Sequence, residues 1–268
     1  MPILHIVILA AVQGFTEFLP ISSSGHLALV PQLLHWPDQG LDMDVAVHVG
    51  TLFAVLAYLY RDVGAILVGI GRFLKGRSDP GMRLFLFLVV GTIPVVIAGL
   101  ALHHYGAMEM LRSIQIIGWT TLGFGILLWI ADLVGMTVRR IDHLGYFDVL
   151  LIGLSQCLAL IPGTSRSGIT MTAARFIGME RPDAARFSML LSIPTIIAAG
   201  TLSGIDIYKS GDVTLQSDAF VAAGLSFLFA LIAIALMMAW LKRASFLPFV
   251  VYRIGLGVFL LAVAYGLV

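Results

Sequence analysis

The chain alternates long apolar runs with short polar breaks. Six runs approach the length a helix needs to cross a bilayer, roughly 20 residues with about 17 to 25 usual. They cover 45–60, 84–102, 114–131, 187–205, 219–241 and 246–268, and the first is short enough that it should borrow a turn at one end. Two further apolar segments, 3–19 and 147–161, are also short. Each runs into a proline and then a hydroxyl-rich turn: Pro20-Ile21-Ser22-Ser23-Ser24-Gly25 in one, Pro162-Gly163-Thr164-Ser165-Arg166-Ser167-Gly168 in the other. Neither turn can face lipid, where unpaired backbone and side-chain groups would cost several kcal/mol each. The pattern therefore predicts two re-entrant hairpins, each returning through a short helix at about 26–35 and 169–179.

The hairpins are related. A shift of 143 residues places Gln13 on Gln156, Ser22 on Ser165, Ser24 on Ser167 and Gly25 on Gly168 without a gap, and it carries the start of span 45–60 onto that of 187–205. One hairpin followed by three spans occurs twice, giving repeats of about 1–133 and 144–268 within a single membrane domain, 1–268. Broken segments at matching positions of two halves point to a midplane site between them.

Charge supplies the orientation. The 61–83 loop holds Arg61, Arg72, Lys75, Arg77 and Arg83; Arg139 and Arg140 follow the third span, Arg175, Arg181 and Arg186 precede the fourth, and Lys242 and Arg243 follow the fifth. The alternate loops 36–44, 103–112 and 206–218 are poor in Lys and Arg. The positive-inside rule makes the basic loops cytoplasmic and both termini external. Three spans per half is an odd number, so the halves must be inverted. The expected fold is an all-α integral membrane protein: six transmembrane helices plus two re-entrant helical hairpins in an inverted-topology repeat.

Composition agrees. Of 268 residues, 59% are hydrophobic and 12% charged, against about 25% charged in soluble domains; mean hydropathy is +1.00. A net charge of +1 gives no support for nucleic acid as a partner. One cysteine, Cys157, excludes an internal disulfide and a multi-cysteine metal site. The N-terminus lacks the basic flank and cleavage site of a signal peptide, so Met1 onward is expected to be retained.

The polar residues inside this apolar chain carry the chemistry. Gln13 and Glu17 are four apart, so a helix sets them on one face. Glu17, helped by Gln13, can hold a hard divalent cation through oxygen and leave positions for water and phosphate. Ser23 and His26 lie three apart, within reach for the imidazole to activate the hydroxyl or a water. In the second turn, Gly163, Thr164, Ser165, Arg166, Ser167 and Gly168 combine flexible backbone, hydroxyls and a guanidinium at a helix N-terminus, which suits a phosphate. Each residue alone has a structural reading: Glu17 paired with Arg166, His26 hydrogen-bonded in a helix, the serines as caps, Arg166 snorkelling. Their conjunction in two matched turns favours phosphoryl transfer.

Gln13-x-x-x-Glu17, Pro20-Ile21-Ser22-Ser23-Ser24-Gly25-His26 and Pro162-Gly163-Thr164-Ser165-Arg166-Ser167-Gly168 resemble the three signatures of the bacterial undecaprenyl-pyrophosphate phosphatase family. The similarity extends along nearly the whole chain, including Ser245-Phe246-Leu247-Pro248-Phe249 and Tyr252-Arg253. The resemblance implies an inner-membrane enzyme that takes the terminal phosphate from a polyprenyl pyrophosphate. Its product is the lipid carrier for cell-wall glycans, and overproduction of such enzymes is associated with bacitracin resistance. It implies a site open to the periplasmic side, Mg²⁺ or Ca²⁺ as cofactor, and Glu17, Ser23, His26 and Arg166 as the essential set. Ser22, Ser24 and Gly25 join Gly163, Thr164, Ser165, Ser167 and Gly168 as candidates for binding substrate. Many family members carry Glu where this chain has Gln13, which makes Glu17 the principal anionic ligand and Gln13 a secondary one.

Two routes remain open on this reading: Ser23 attacks phosphorus with His26 as base, or His26 activates water directly. The rival from another class is a lipid-phosphate flippase, which would want the same anion site without a nucleophile and base. A homodimer is also left open. Among other polar residues, His48 could line the cavity but reads more readily as structural, Asp132 and Asp148 read as meeting the interface or a basic neighbour, and Arg253, near the cytoplasmic start of its span, could snorkel. His103 and His104 fall in an outer loop. Gly118, Gly123, Gly125, Gly255 and Gly257 read as close helix packing.

Overall fold

A computed structural model describes residues 2–34, 36, 41–105, 111, 113–210 and 213–267. Parts of the expected outer loops (37–40, 106–110, 112 and 211–212), with residue 35 of the first return helix and residue 268 of the last span, lie outside the described residues.

Regular structure is helical. In chain order the helices are α1 (Ile3–Thr16), α2 (Ser23–Leu34), α3 (Leu41–Tyr58), α4 (Tyr60–Phe73), α5 (Pro80–His104), α6 (Ile114–Val134), α7 (Tyr146–Gln156), α8 (Arg166–Phe176), α9 (Arg181–Ser210), α10 (Val213–Leu241) and α11 (Leu247–Ala264). A short 3₁₀ turn, Cys157–Leu160, extends α7. Among the described residues, four segments are long and apolar enough to cross a membrane: Pro80–His104, Ile114–Val134, Ser217–Leu241 and Leu247–Ala264. The pair Met43–Tyr58 and Tyr60–Phe73 makes a fifth if its 81° bend is counted as one broken span. The protein is thus a multi-pass membrane protein. Large apolar residues such as Phe53, Ile97, Trp119, Leu228 and Leu236 point outward from the helices.

Local chemistry sets the helix ends. Asp79 accepts from the Gly81 N–H at 2.8 Å and Pro80 opens α5, whose missing N–H has no helical partner to lose. Arg72 beside Asp79 holds that carboxyl below the usual carboxylate range. Ser113 caps α6 through the Ile116 N–H at 3.3 Å. The loop expected at 61–83 contains α4, because the chain turns sharply at Leu59. Asp62 on α4 then reaches Arg186 of α9 in an ion pair. His103 and His104 belong to the last turn of α5 rather than to a loop.

The main core gathers Phe18, Val55, Phe87, Leu128, Ile152, Met171, Phe187, Ile234 and Phe246, all buried. A second cluster joins α1, α2, α3 and α10 through Ile6, Leu9, Leu27, Met43, Val47 and Ala222. Close helix approach rests on glycine: a Cβ at Gly50 of α3 would lie 2.1 Å from the Ala223 carbonyl oxygen of α10. Gly118, Gly125 and Gly257 are packed closely too, but a Cβ at Gly123 or Gly255 would meet nothing within 4 Å among the described residues, so the expected packing face is interrupted there.

Candidate active site

The chain arrives at the first turn through α1, which ends at Thr16, four residues before Pro20; residues 17–21 form the turn proper. The Glu17 N–H still bonds to the Gln13 carbonyl at 2.9 Å, so Gln13 and Glu17 keep helical spacing and their side chains meet, Gln13 Nε2 donating to Glu17 Oε2 at 2.9 Å. Ser22 has φ of 74° and Ser165 has φ of 70°, the left-handed region for two residues that carry a β-carbon. Each reverses the chain and caps the helix that follows. Ser22 Oγ accepts from the Gly25 N–H at 3.4 Å, and Ser165 Oγ from the Gly168 N–H at 3.1 Å. The next serine but one closes both patterns: Ser22 Oγ lies 3.4 Å from Ser24 Oγ, and Ser165 Oγ 3.2 Å from Ser167 Oγ. Gly163 sits at φ 89° where a Cβ would lie 2.2 Å from Thr120 Oγ1, so no other residue fits.

The turns meet at Glu17. Arg166 Nη2 donates to Glu17 Oε1 at 2.7 Å, and Ser23 Oγ donates to Glu17 Oε2 at 2.7 Å. Arg166 also donates to the Ser188 carbonyl at 3.1 Å, and its guanidinium lies 5.8 Å from the Phe18 ring centroid. Ser167 Oγ donates to the Leu19 carbonyl at 2.9 Å, a second link between the turns. Glu17 is buried and Ser24 is exposed, with Ser23 and His26 between them, so the cluster grades from interior to surface.

Ser23 and His26 are neighbours in sequence but face different partners. Ser23 is given to the carboxylate, while His26 Nδ1 lies 2.7 Å from the Ser22 carbonyl oxygen and Nε2 lies 2.5 Å from Tyr252 Oη. The imidazole and phenol rings stack with centroids 5.7 Å apart.

Arg253 does not snorkel. It is fully buried, and its guanidinium reaches four backbone carbonyls: Thr121 at 3.2 Å, Pro20 at 3.3 Å, Gly163 at 3.0 Å and Thr164 at 2.9 Å. Pro20 belongs to the first turn and Gly163 and Thr164 to the second, so one side chain ties both. The interior carbonyls satisfy it better than a distant interface would, because turn carbonyls lack helical partners. Asp132 and Asp148 take the basic-neighbour alternative: Asp132 accepts from Arg175, Arg181 and the Phe246 N–H, and Asp148 pairs with Arg139. His48 stands closer to the site than a structural role predicts, its Nε2 3.6 Å from Glu17 Oε2 and its Nδ1 2.6 Å from the Asp44 carbonyl. Three buried side-chain atoms among the described residues lack a partner, Gln13 Oε1, Gln156 Oε1 and Thr164 Oγ1. The first two are the amides matched by the 143-residue shift.

Tyr252 is a site neighbour to which sequence reasoning gave no role, and His48 and Arg253 are two for which it favoured a structural and a snorkelling one. Their signal was polarity inside apolar helices, which usually marks a working region.

A multi-pass helical membrane protein with a carboxylate, hydroxyl and guanidinium hydrogen-bonded together in its interior is of the class that works on a polar group within the bilayer. The chain belongs to the family described as bacitracin resistance protein BacA, whose match covers residues 6–259. It is 53% identical over 271 residues to an undecaprenyl-diphosphatase 1 of Rhodospirillum rubrum, covering 99% of this chain and 96% of the relative. It is also 53% identical over 267 residues to an undecaprenyl-diphosphatase of Ruegeria pomeroyi, covering 99% of this chain and all of the relative. An undecaprenyl-diphosphatase of Chromohalobacter salexigens is 48% identical over 259 residues, with 96% and 97% covered.

Proposed function

We infer that the protein is an undecaprenyl-diphosphatase, a membrane phosphatase that hydrolyses a polyprenyl pyrophosphate to its monophosphate and inorganic phosphate. Full-length similarity to relatives of that name supports it. The observation that carries the local chemistry is Glu17, which accepts from Ser23 of its own turn and from Arg166 of the other, 149 residues further along the chain than Glu17.

In this mechanism the diphosphate enters between the turns and Arg166 turns its remaining donors to phosphate oxygens, matching their geometry with its planar fork. Ser23 Oγ attacks the terminal phosphorus as its proton passes along the existing hydrogen bond to Glu17. The bond from that phosphorus to the bridging oxygen breaks, and the lipid monophosphate leaves. Water then attacks the phosphoserine, its proton going to His26, while Ser23 Oγ departs and recovers its proton from Glu17. Positioning and charge neutralisation do most of the work of phosphoryl transfer. His26 acts on the water rather than on Ser23 here, because Ser23 is already bonded to the carboxylate.

A divalent cation such as Mg²⁺ or Ca²⁺ fits beside Glu17. Gln13 Oε1 is a buried oxygen without a partner on the amide that touches this carboxylate. Among the described residues no three His, Cys, Asp or Glu side chains cluster, so Glu17 and Gln13 would hold the ion jointly with substrate oxygens and water. When bound, it would neutralise charge on the phosphate oxygens.

The same reading includes six spans in an inverted repeat, basic loops in the cytoplasm, external termini and a periplasmic opening of the site, supported by the charge distribution and the matched turns. The flippase alternative is not favoured, since it leaves the Ser23–Glu17 pairing without a task. Purified protein in detergent, given a short-chain prenyl pyrophosphate with Mg²⁺, should release inorganic phosphate and should stop when chelator is added. Failure to release phosphate from any prenyl pyrophosphate overturns the assignment.

A further inference from the structure

We propose that Tyr252 is a catalytic proton relay: the proton lost by the attacking water reaches His26 through the Tyr252 hydroxyl. The inference deepens the phosphatase reading above and rests on it.

A backbone carbonyl can only accept, so the contact of His26 Nδ1 with the Ser22 carbonyl at 2.7 Å places a hydrogen on Nδ1. The lone pair of the neutral ring is therefore on Nε2, the one atom at which His26 can act as a base. That lone pair does not face an open site. Tyr252 Oη stands 2.5 Å from it and donates its hydrogen there. Stacking of the two rings, with planes 11° apart, holds the arrangement. With Tyr252 seated, a water cannot give its proton to Nε2 directly. It can give it to Oη.

The step balances. The water O–H bond breaks and a new Oη–H bond forms, while the original Oη–H bond breaks and Nε2–H forms. Tyr252 ends as it began, His26 becomes imidazolium with its Nδ1 hydrogen still donated to the Ser22 carbonyl, and the water oxygen bonds to phosphorus. Tyr252 stands on α11 one residue before Arg253, which ties both turns to that helix and so fixes the phenol relative to them.

The alternative is that Tyr252 merely caps the ring. The two roles predict opposite results for Tyr252→Phe, which keeps the stacked ring and removes the hydroxyl. Phosphate release from a short-chain prenyl pyrophosphate would be measured in detergent for the wild type, Tyr252→Phe, His26→Gln and the double variant, with thermal unfolding of each. A relay predicts that Tyr252→Phe lowers kcat by about tenfold or more with KM unchanged, and causes no further loss in the His26→Gln background. The relay is overturned if Tyr252→Phe matches or exceeds the wild type, as it would if the phenol only covered a base. It is equally overturned if the loss is the same with and without His26. A wild type that releases no phosphate would overturn the phosphatase reading itself, an outcome distinct from either.

Discussion

Ser22 and Ser165 share an unusual positive φ, 74° and 70°, and each uses its own hydroxyl to cap the helix that follows it. For an L-residue this region carries strain of order 1–3 kcal/mol, which the surrounding structure has to offset. Substitution at Ser165 separates strain from capping. Ser165→Ala keeps the strained β-carbon and loses the acceptor for the Gly168 N–H, so it should destabilise by about 1–2 kcal/mol. Ser165→Gly loses the same acceptor but relieves the strain, and should unfold at a higher temperature than the alanine variant. Thermal unfolding in detergent ranks the pair.

Ser23→Ala should leave the fold intact and lower kcat by roughly a thousandfold or more, because the nucleophile is gone while the Arg166–Glu17 link remains. Acid quench during turnover of the wild type should trap a phosphoserine at position 23. Robust turnover by Ser23→Ala would move the chemistry to direct water attack.

The Arg166–Glu17 pair couples two distant stretches of chain in a buried setting. Removing either partner alone should destabilise by about 3–5 kcal/mol, since the survivor is left as an uncompensated charge. Glu17→Gln with Arg166→Gln should therefore be less destabilised than the sum of the single variants, while activity is abolished in all three. A double-mutant cycle on unfolding temperatures, paired with phosphate release, tests both halves of the statement.

Gly168 lies over the Arg253 clamp, where a Cβ would come within 2.6 Å of Arg253 Nη1. Gly168→Ala should displace the guanidinium from the Pro20, Gly163 and Thr164 carbonyls and lower activity at least tenfold with a smaller loss of stability. Arg253→Lys should do the same more severely, because one ammonium cannot replace a fork that serves four carbonyls. Equal activity in Gly168→Ala and the wild type would show that the clamp does not position the turns.

Asp132 accepts from Arg175, Arg181 and the Phe246 N–H. Asp132→Asn should destabilise by about 3–5 kcal/mol through the two unpaired arginines. KM should stay near the wild-type value in the folded fraction, as the hydrogen bonds of the Asp132 carboxylate among the described residues run to Arg175, Arg181 and Phe246, outside the paired turns. Unfolding temperature and steady-state kinetics read these separately.

Much of this arrangement was legible from residue type. Pro20 and Pro162 announced the breaks, and an arginine flanked by serines at a broken helix has few structural uses inside a bilayer, so its convergence with Glu17 followed from the burden of leaving either alone. The partner of Ser23 was not legible. A spacing of three places His26 nearby, but the positive φ at Ser22 decides which way the next hydroxyl points, and it points to Glu17. Arg253 was misread for a related reason. An arginine near the basic end of a helix reads as snorkelling unless one knows that Gly125 and Gly168 leave room for it against the turns. The helix after Leu59 was hidden as well: Arg61, Asp62 and Arg72 made 61–83 read as a basic loop, although Val63, Ile66, Leu67 and Ile70 recur there at helical spacing.

The Arg253 clamp has an electrical consequence. Glu17 cancels Arg166, but the groups that hold Arg253 among the described residues are neutral carbonyls, so the region between the turns carries one excess positive charge in a medium that screens it poorly. An approaching diphosphate meets an attractive field before it touches any donor, and the inorganic phosphate left behind after hydrolysis feels the same pull.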